Sequence, residues 1–322
     1  MKSLFVTALP NLKVHETGRG FELALGLFVT SDPNHVARLL TEAFHLLAGS
    51  LAVDSLLRSN AVVYAHEDLN PPPDPSTTAV PYIDSFLRTV NMFSMALWLI
   101  KDNSVDSGEG YLQYGSLHPI NRGTHVSTHS LGIFYWDAGG QRNPVTFSAE
   151  ELGRARSYLV PLLGRLGLRE GTTSTTPTLP PNVPRLGRVW YFIENARMIG
   201  DLAIKIATYI TCLEALLSTD SLELAHKLSE RLALFIASSA KEQQSIYERA
   251  KLAYSIRSKT LHGDELNSKQ RQTLGQIARD CDEYVRRCLL KALSSDETAA
   301  LFNGKKEVLE EYMLQLLFRV PG

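Results

Sequence analysis

Residues 190–217 read WYFIENARMIGDLAIKIATYITCLEALL. Apolar side chains recur at 192/193, 196, 199, 203, 206, 210, 213 and 217, a three-and-four spacing that keeps one face of an α-helix apolar. Held over roughly seven turns, the pattern predicts one long helix of about 40 Å at 1.5 Å per residue. Downstream, Thr219, Asp220 and Ser221 offer N-cap chemistry for a second helix over 222–238, with Glu223 in its first turn. That helix buries Leu224 or Leu228, together with Leu232, Phe235 and Ile236. A third helix is predicted from about Lys241 to His262, ending where Gly263 can take a left-handed conformation. A fourth starts after Asn267–Ser268 and continues through Arg286–Leu293, and a last amphipathic helix covers 305–318. Four or five helices with short connections describe an up-and-down bundle, so 188–322 reads as an all-α domain.

Upstream the character changes. GTTSTTPTLPPNVPRLG (171–187) holds four prolines and five threonines and no aromatic residue. It cannot bury enough apolar surface to order itself and reads as a linker. Residues 1–170 mix element types and form an α+β domain. KSLFVTAL, GFELALGLFV, AVVYA and LGIFYW look like strands, rich in β-branched and aromatic residues and bounded by Gly, Asn and Pro. HVARLLTEAFHLLAGSL, residues 82–100 and AEELGRARSYLVPLLGRL have helical spacing. NPPPDPSTTAVP (70–81) is expected as a surface loop.

With 322 residues and 44% hydrophobic residues, the chain can build two packed domains. The net charge of −1 argues against a protein that coats nucleic acid electrostatically, although a local basic patch stays open. Three widely spaced cysteines (Cys212, Cys281, Cys288) without a CxxC fit core thiols in a reducing compartment. The N-terminus carries one lysine and an apolar run broken by Pro10 and Asn11, too weak for a signal peptide. The apolar stretch 82–100 contains Asp84, Arg88 and Asn91 and reads as a buried helix, not a membrane span. A cytoplasmic location follows by default. His118, His125 and His129 invite a metal hypothesis, but on a strand the last two would lie about 13 Å apart. No metal or cofactor is expected: no Walker loop, no GxGxxG after a strand, no HExxH and no GxSxG occurs.

One stretch stands apart. YSIRSKTLHGDEL (254–266) lies in a run without an acidic residue from Arg249 to Gly263. Cations in the last turns of a helix stabilise the negative end of its dipole, which is the simplest account of them. Two details weigh against that account. Arg257 and His262 are five residues apart, about 140° around a helix, so they are not i,i+4 neighbours. With Lys259 they also form a cationic cluster whose mutual repulsion a purely structural site would avoid.

CLEALLSTDSLELAHKLSERLALFI (212–236) followed by AYSIRSKTLHG (253–263) resembles the Apea-like branch of the HEPN superfamily, helical bundles that carry Arg, four to six residues, then His. The resemblance covers roughly 190–295. It implies a metal-independent endoribonuclease, often a toxin or antiviral defence effector, acting as a homodimer whose two motifs face one cleft. By that motif Arg257 and His262 are the catalytic pair, Ser258 orients the histidine or the phosphate, and Glu214 holds Arg257 in place. Lys251 and Lys259 are the candidates for holding RNA. Some HEPN toxins carry a modifiable tyrosine two residues after the histidine; here Asp264 stands there, which puts that mode of control in doubt. The N-terminal half would sense, recruit or restrain. A non-catalytic HEPN scaffold that binds RNA or a protein is the alternative.

The residue types suit the chemistry. RNA supplies its own nucleophile, the 2′-OH. A neutral imidazole can accept its proton, an imidazolium can protonate the departing 5′-oxygen, and a guanidinium can grip the non-bridging oxygens as charge builds. The products would be a 2′,3′-cyclic phosphate and a 5′-hydroxyl.

Overall fold

The computed structural model describes residues 1–15, 18–24, 26–70, 79–115, 123–166, 182–220 and 223–318. The chain forms two compact units, one of residues 1–135 and 142–159, the other of residues 136–141 and 160–322.

The first unit is built on β1 (Lys2–Ala8), β2 (Leu12–Val14), β3 (Phe21–Ala24) and β4 (Leu27–Thr30), then α1 (Pro33–Leu39), α2 (Glu42–Ala48) and α3 (Ser50–Leu57). It continues through β5 (Val62–Asp68), α4 (Val80–Ile100), β6 (Gly110–Tyr114), β7 (His125–His129), β8 (Val145–Phe147) and α5 (Ala149–Leu166). Six strands make one antiparallel sheet in the order β3-β4-β5-β1-β6-β7, and β2 pairs with β8 in parallel. Alternation along β1 explains the layering. Phe5 joins the core with Leu87, Val90 and Phe93 of α4 and Leu152 and Ala155 of α5, while Leu4 and Val6 join the one with Val36, Phe44 and Val53 of α1–α3. Because both faces are covered, β1 is buried from Ser3 to Ala8, and its two polar side chains, Ser3 and Thr7, donate to the carbonyls of Glu67 and Glu109 (3.0 Å each).

Three sequence expectations change here. GFELALGLFV is not one strand but β3 and β4, which pair antiparallel around Gly26 (φ +74°). HVARLLTEAFHLLAGSL is three short helices, because Thr41 caps α2 and Gly49 takes φ +86° before α3. LGIFYW forms no strand: side chains replace a ladder there, with the Tyr135 N–H donating to Asp106 Oδ2 (2.7 Å) and its hydroxyl to Asn91 Oδ1 (2.9 Å). Of the expected loop 70–81, residues 71–78 lie outside the described residues, and Val80–Pro81 already open α4. That helix is buried in the core, and no helix among the described residues is long and apolar enough to cross a membrane.

The second unit holds α6 (Arg185–Arg197), α7 (Leu202–Leu217), α8 (Leu224–Ile236), α9 (Ala240–His262), α10 (Ser268–Ala292), α11 (Asp296–Asn303) and α12 (Lys306–Leu317). Helices α7 to α10 all pack on one another around Ile210, Leu213, Leu228, Leu232, Ile256, Ile277, Val285 and Leu289. The short links between these consecutive helices suit antiparallel neighbours. An α+β first half followed by a helical second half is therefore the architecture.

The long helix expected over 190–217 is two helices. Met198 ends α6, and Asp201 caps α7 by accepting the Ile204 N–H (2.9 Å). Between them Gly200 lies under the Trp136 ring, where a Cβ would sit 3.3 Å from the indole carbons. Trp136 donates its N–H to the Arg197 carbonyl (2.8 Å), and the buried Lys205 ammonium donates to the carbonyls of Trp136 and Asp137 (3.2 and 2.9 Å). Residues 136–141 thus fasten onto the break and belong to this unit.

The boundary differs as well. The division falls inside α5, between Leu159 and Val160, and the end of the expected linker is already α6, with Leu186 and Gly187 buried. Residues 171–181 lie outside the described residues. The expected cap of α8 is also not used as one. Glu223 is the N-cap residue in a left-handed conformation, the Thr219 hydroxyl donates to the Glu310 carboxylate, and Asp220 pairs with Lys227 (2.9 Å). Ser221 lies outside the described residues. Cys212, Cys281 and Cys288 are free and buried, and burial pushes each thiol pKa upward.

Acid should loosen the start of α9. Glu242 accepts from the hydroxyl and N–H of Ser238 (2.6 and 2.7 Å) and from Arg287 (2.8 Å), which lowers its pKa from 4.5 to about 2. Its folded pKa lies below the unfolded one, so its contribution is complete above pH 4.5 and is lost as pH falls toward 2. In Glu242→Gln, the Tm measured by circular dichroism is expected to vary less over that interval than in the unaltered protein. An identical pH profile would show that these bonds contribute nothing.

Candidate functional site

Helix α9 delivers the residues singled out by the sequence. It begins at Ser239, whose hydroxyl accepts the Glu242 N–H (3.3 Å), and runs unbroken to His262. It stops where expected: Gly263 has φ +79°, and the N–H groups of Gly263 and Asp264 both return to the Lys259 carbonyl. A Cβ at Gly263 would meet nothing within 4 Å, so glycine is required there for its backbone angle and not for space.

Arg257 is drawn inward. Its Nη2 donates to Glu214 Oε2 (3.1 Å) on α7, and the two side chains are only 24% and 15% exposed. Its guanidinium also lies 5.3 Å from the Tyr254 ring centroid, one turn earlier on the same helix. Burial, and then the Glu214 carboxylate beside it, raise the Tyr254 pKa. Arg257 Nε, Glu214 Oε1 and the Thr260 hydroxyl are buried without a hydrogen-bond partner. The pair is therefore fixed in place but short of full satisfaction, and each orphaned group costs about 1–3 kcal/mol.

His262 is different. Its imidazole is exposed, and no side-chain hydrogen bond or ion pair joins it to another described residue. Ser258 is half-buried and has no side-chain hydrogen bond among the described residues. Lys259 donates to Gln270 Oε1 (3.2 Å), the side chain that completes the capping box with Asn267 at the start of α10. Lys251 is exposed, its ammonium 5.3 Å from the Tyr247 ring, and the Tyr247 hydroxyl lies 2.9 Å from His226 Nδ1.

The structure therefore joins Arg257 to Glu214 and leaves His262, Ser258 and Lys251 without a direct link to that pair. The cationic crowding is also milder than the sequence suggests, because two arginines of the acid-free stretch find carboxylates on other helices: Arg249 pairs with Asp280 and Arg257 with Glu214. Tyr254 was missed, although its i,i+3 spacing from Arg257 was a legible signal. Among the histidines, His118 lies outside the described residues. His125 stacks on Tyr114 (5.2 Å between ring centroids), and His129 Nε2 is 3.5 Å from Asp84 Oδ1 at the other end of β7. No group of three or more His, Cys, Asp or Glu that could hold a metal ion is present among the described residues.

No protein-family model, curated protein or solved structure matches this chain.

Proposed function

We propose that the protein is a cytoplasmic, metal-independent endoribonuclease of the HEPN type, a toxin or defence effector, with its chemistry at the end of α9. The observation that carries the reading is a guanidinium held by Glu214 and Tyr254 at Arg257, five residues before an exposed imidazole at the helix end. Arg257 uses one of its donors on Glu214, so its guanidinium retains capacity for phosphate oxygens. His262, free of protein partners among the described residues, accepts the 2′-OH proton and returns one to the 5′-oxygen as the P–O bond breaks. Lys251 and Lys259 supply sequence-independent attraction for the strand. A second copy of the chain is the expected partner, because about 140° of helix separates Arg257 from His262.

The test is RNA incubated with the purified protein in EDTA. Fragments ending in a 2′,3′-cyclic phosphate and a 5′-hydroxyl are expected. Cleavage stopped by EDTA and restored by Mg²⁺ or Mn²⁺ would make the acid–base role of His262 wrong.

The Arg257–Glu214 pair also favours a second reading. A half-buried ion pair between α9 and α7 is what a non-catalytic bundle would use to fix its helices, with the unit serving as an RNA- or protein-binding scaffold.

A further inference from the structure

A cleft of about 550 Å³ opens in the second unit where the start of α6, the end of α7 and the α11–α12 turn meet. Arg185, Arg188, Glu214, Ser218, Asn303 and Gly304 line it. The Arg185 guanidinium is anchored by donating to the carbonyls of Ala215 and Ser218 (2.8 and 3.0 Å). Arg188 is exposed and donates only a long bond to the Val183 carbonyl (3.3 Å). Neither arginine has a carboxylate partner among the described residues. The one acidic residue of the lining, Glu214, is paired with Arg257 through Oε2 (3.1 Å). Two guanidinium groups therefore line the cleft without an ion-pair partner among the described residues. Burial and the nearby charge of Arg188 lower the Arg185 pKa, so an anion between the two would relieve both.

We infer that this cleft is a phosphate subsite, holding the RNA backbone at Arg185 and Arg188 while the cleaved phosphate lies at Arg257. The inference rests on the ribonuclease reading. Glu214 is the wall common to both positions, lining the cleft and pairing with Arg257. Guanidinium groups suit the role because their planar donor forks match phosphate oxygens. Contacts to phosphate carry no sequence information, so the subsite would add affinity for any single strand rather than select a sequence.

The probe is a short fluorescent oligoribonucleotide, 2′-O-methylated throughout so that it lacks the nucleophile, bound to the full-length protein in a salt series followed by anisotropy. Cleavage of the unmodified strand is measured in parallel. In Arg188→Ala the slope of log K against log[salt] is expected to become shallower by roughly 0.7, the value for one phosphate contact on a single strand. Arg188→Lys, which keeps the charge, should retain the slope of the unaltered protein. An unchanged slope in folded Arg188→Ala, with cleavage intact in the unaltered protein, would overturn the subsite and leave the nuclease standing. If the unaltered protein neither binds nor cuts RNA, the nuclease reading fails and the subsite fails with it.

Discussion

His262→Ala is expected to lower RNA cleavage by about 10²–10⁴-fold, the usual size of general acid–base catalysis, and to leave stability within about 0.5 kcal/mol. The second half follows from the structure. The imidazole is exposed, bonds to no other described residue, and stands in the last turn of a helix whose end is already closed by Gly263 and Asp264. Nothing in the packing depends on it, so a loss of activity can be assigned to chemistry. Cleavage at the original rate by a folded His262→Ala protein would remove the enzyme reading. If two chains contribute to one cleft, mixing His262→Ala and Arg257→Ala subunits should also restore part of the activity above that of either variant alone. A monomer by light scattering that still cleaves RNA would exclude the composite site.

What could be read in the sequence was mostly local. The end of α9 at Gly263 and the start of α10 after Asn267 depend on residues within one turn of each boundary, and both stand where expected. The break between α6 and α7 was missed because the three-and-four spacing continues in phase across residues 198–201. Gly200 followed by the N-cap Asp201 was a local signal that the spacing masked, and Trp136, which packs on Gly200, comes from a segment more than 60 positions away. The pairing of β2 with β8 is hidden for the same reason: Leu12 meets Val145, and no local pattern signals a three-residue strand. In the candidate site, the Arg257–Glu214 pairing was expected from the sequence and is present, whereas no contact links His262 to it among the described residues. The cleft arginines were not expected. Arg185 lay in a stretch whose proline and threonine content reads as linker, and only the folded chain brings it to the end of α7.

Arg257→Ala should behave unlike His262→Ala, losing stability as well as cleavage. Removing one member of a buried ion pair leaves the other charge uncompensated, at about 3–5 kcal/mol when burial is complete. With side chains 24% and 15% exposed and one bond between them, the expected loss is lower, about 2–3 kcal/mol. The activity of that variant alone therefore cannot separate a catalytic arginine from a structural one. The double variant Arg257→Met/Glu214→Leu can. Replacing both partners by apolar side chains of similar volume is often neutral or stabilising, so urea denaturation should show most of the lost stability recovered. Cleavage should stay absent, because no methionine can offer donors to a phosphate as its charge grows. Recovery of cleavage together with stability would mean that Arg257 serves only to join α9 to α7, and its role at the phosphate would be withdrawn while the ribonuclease reading stood.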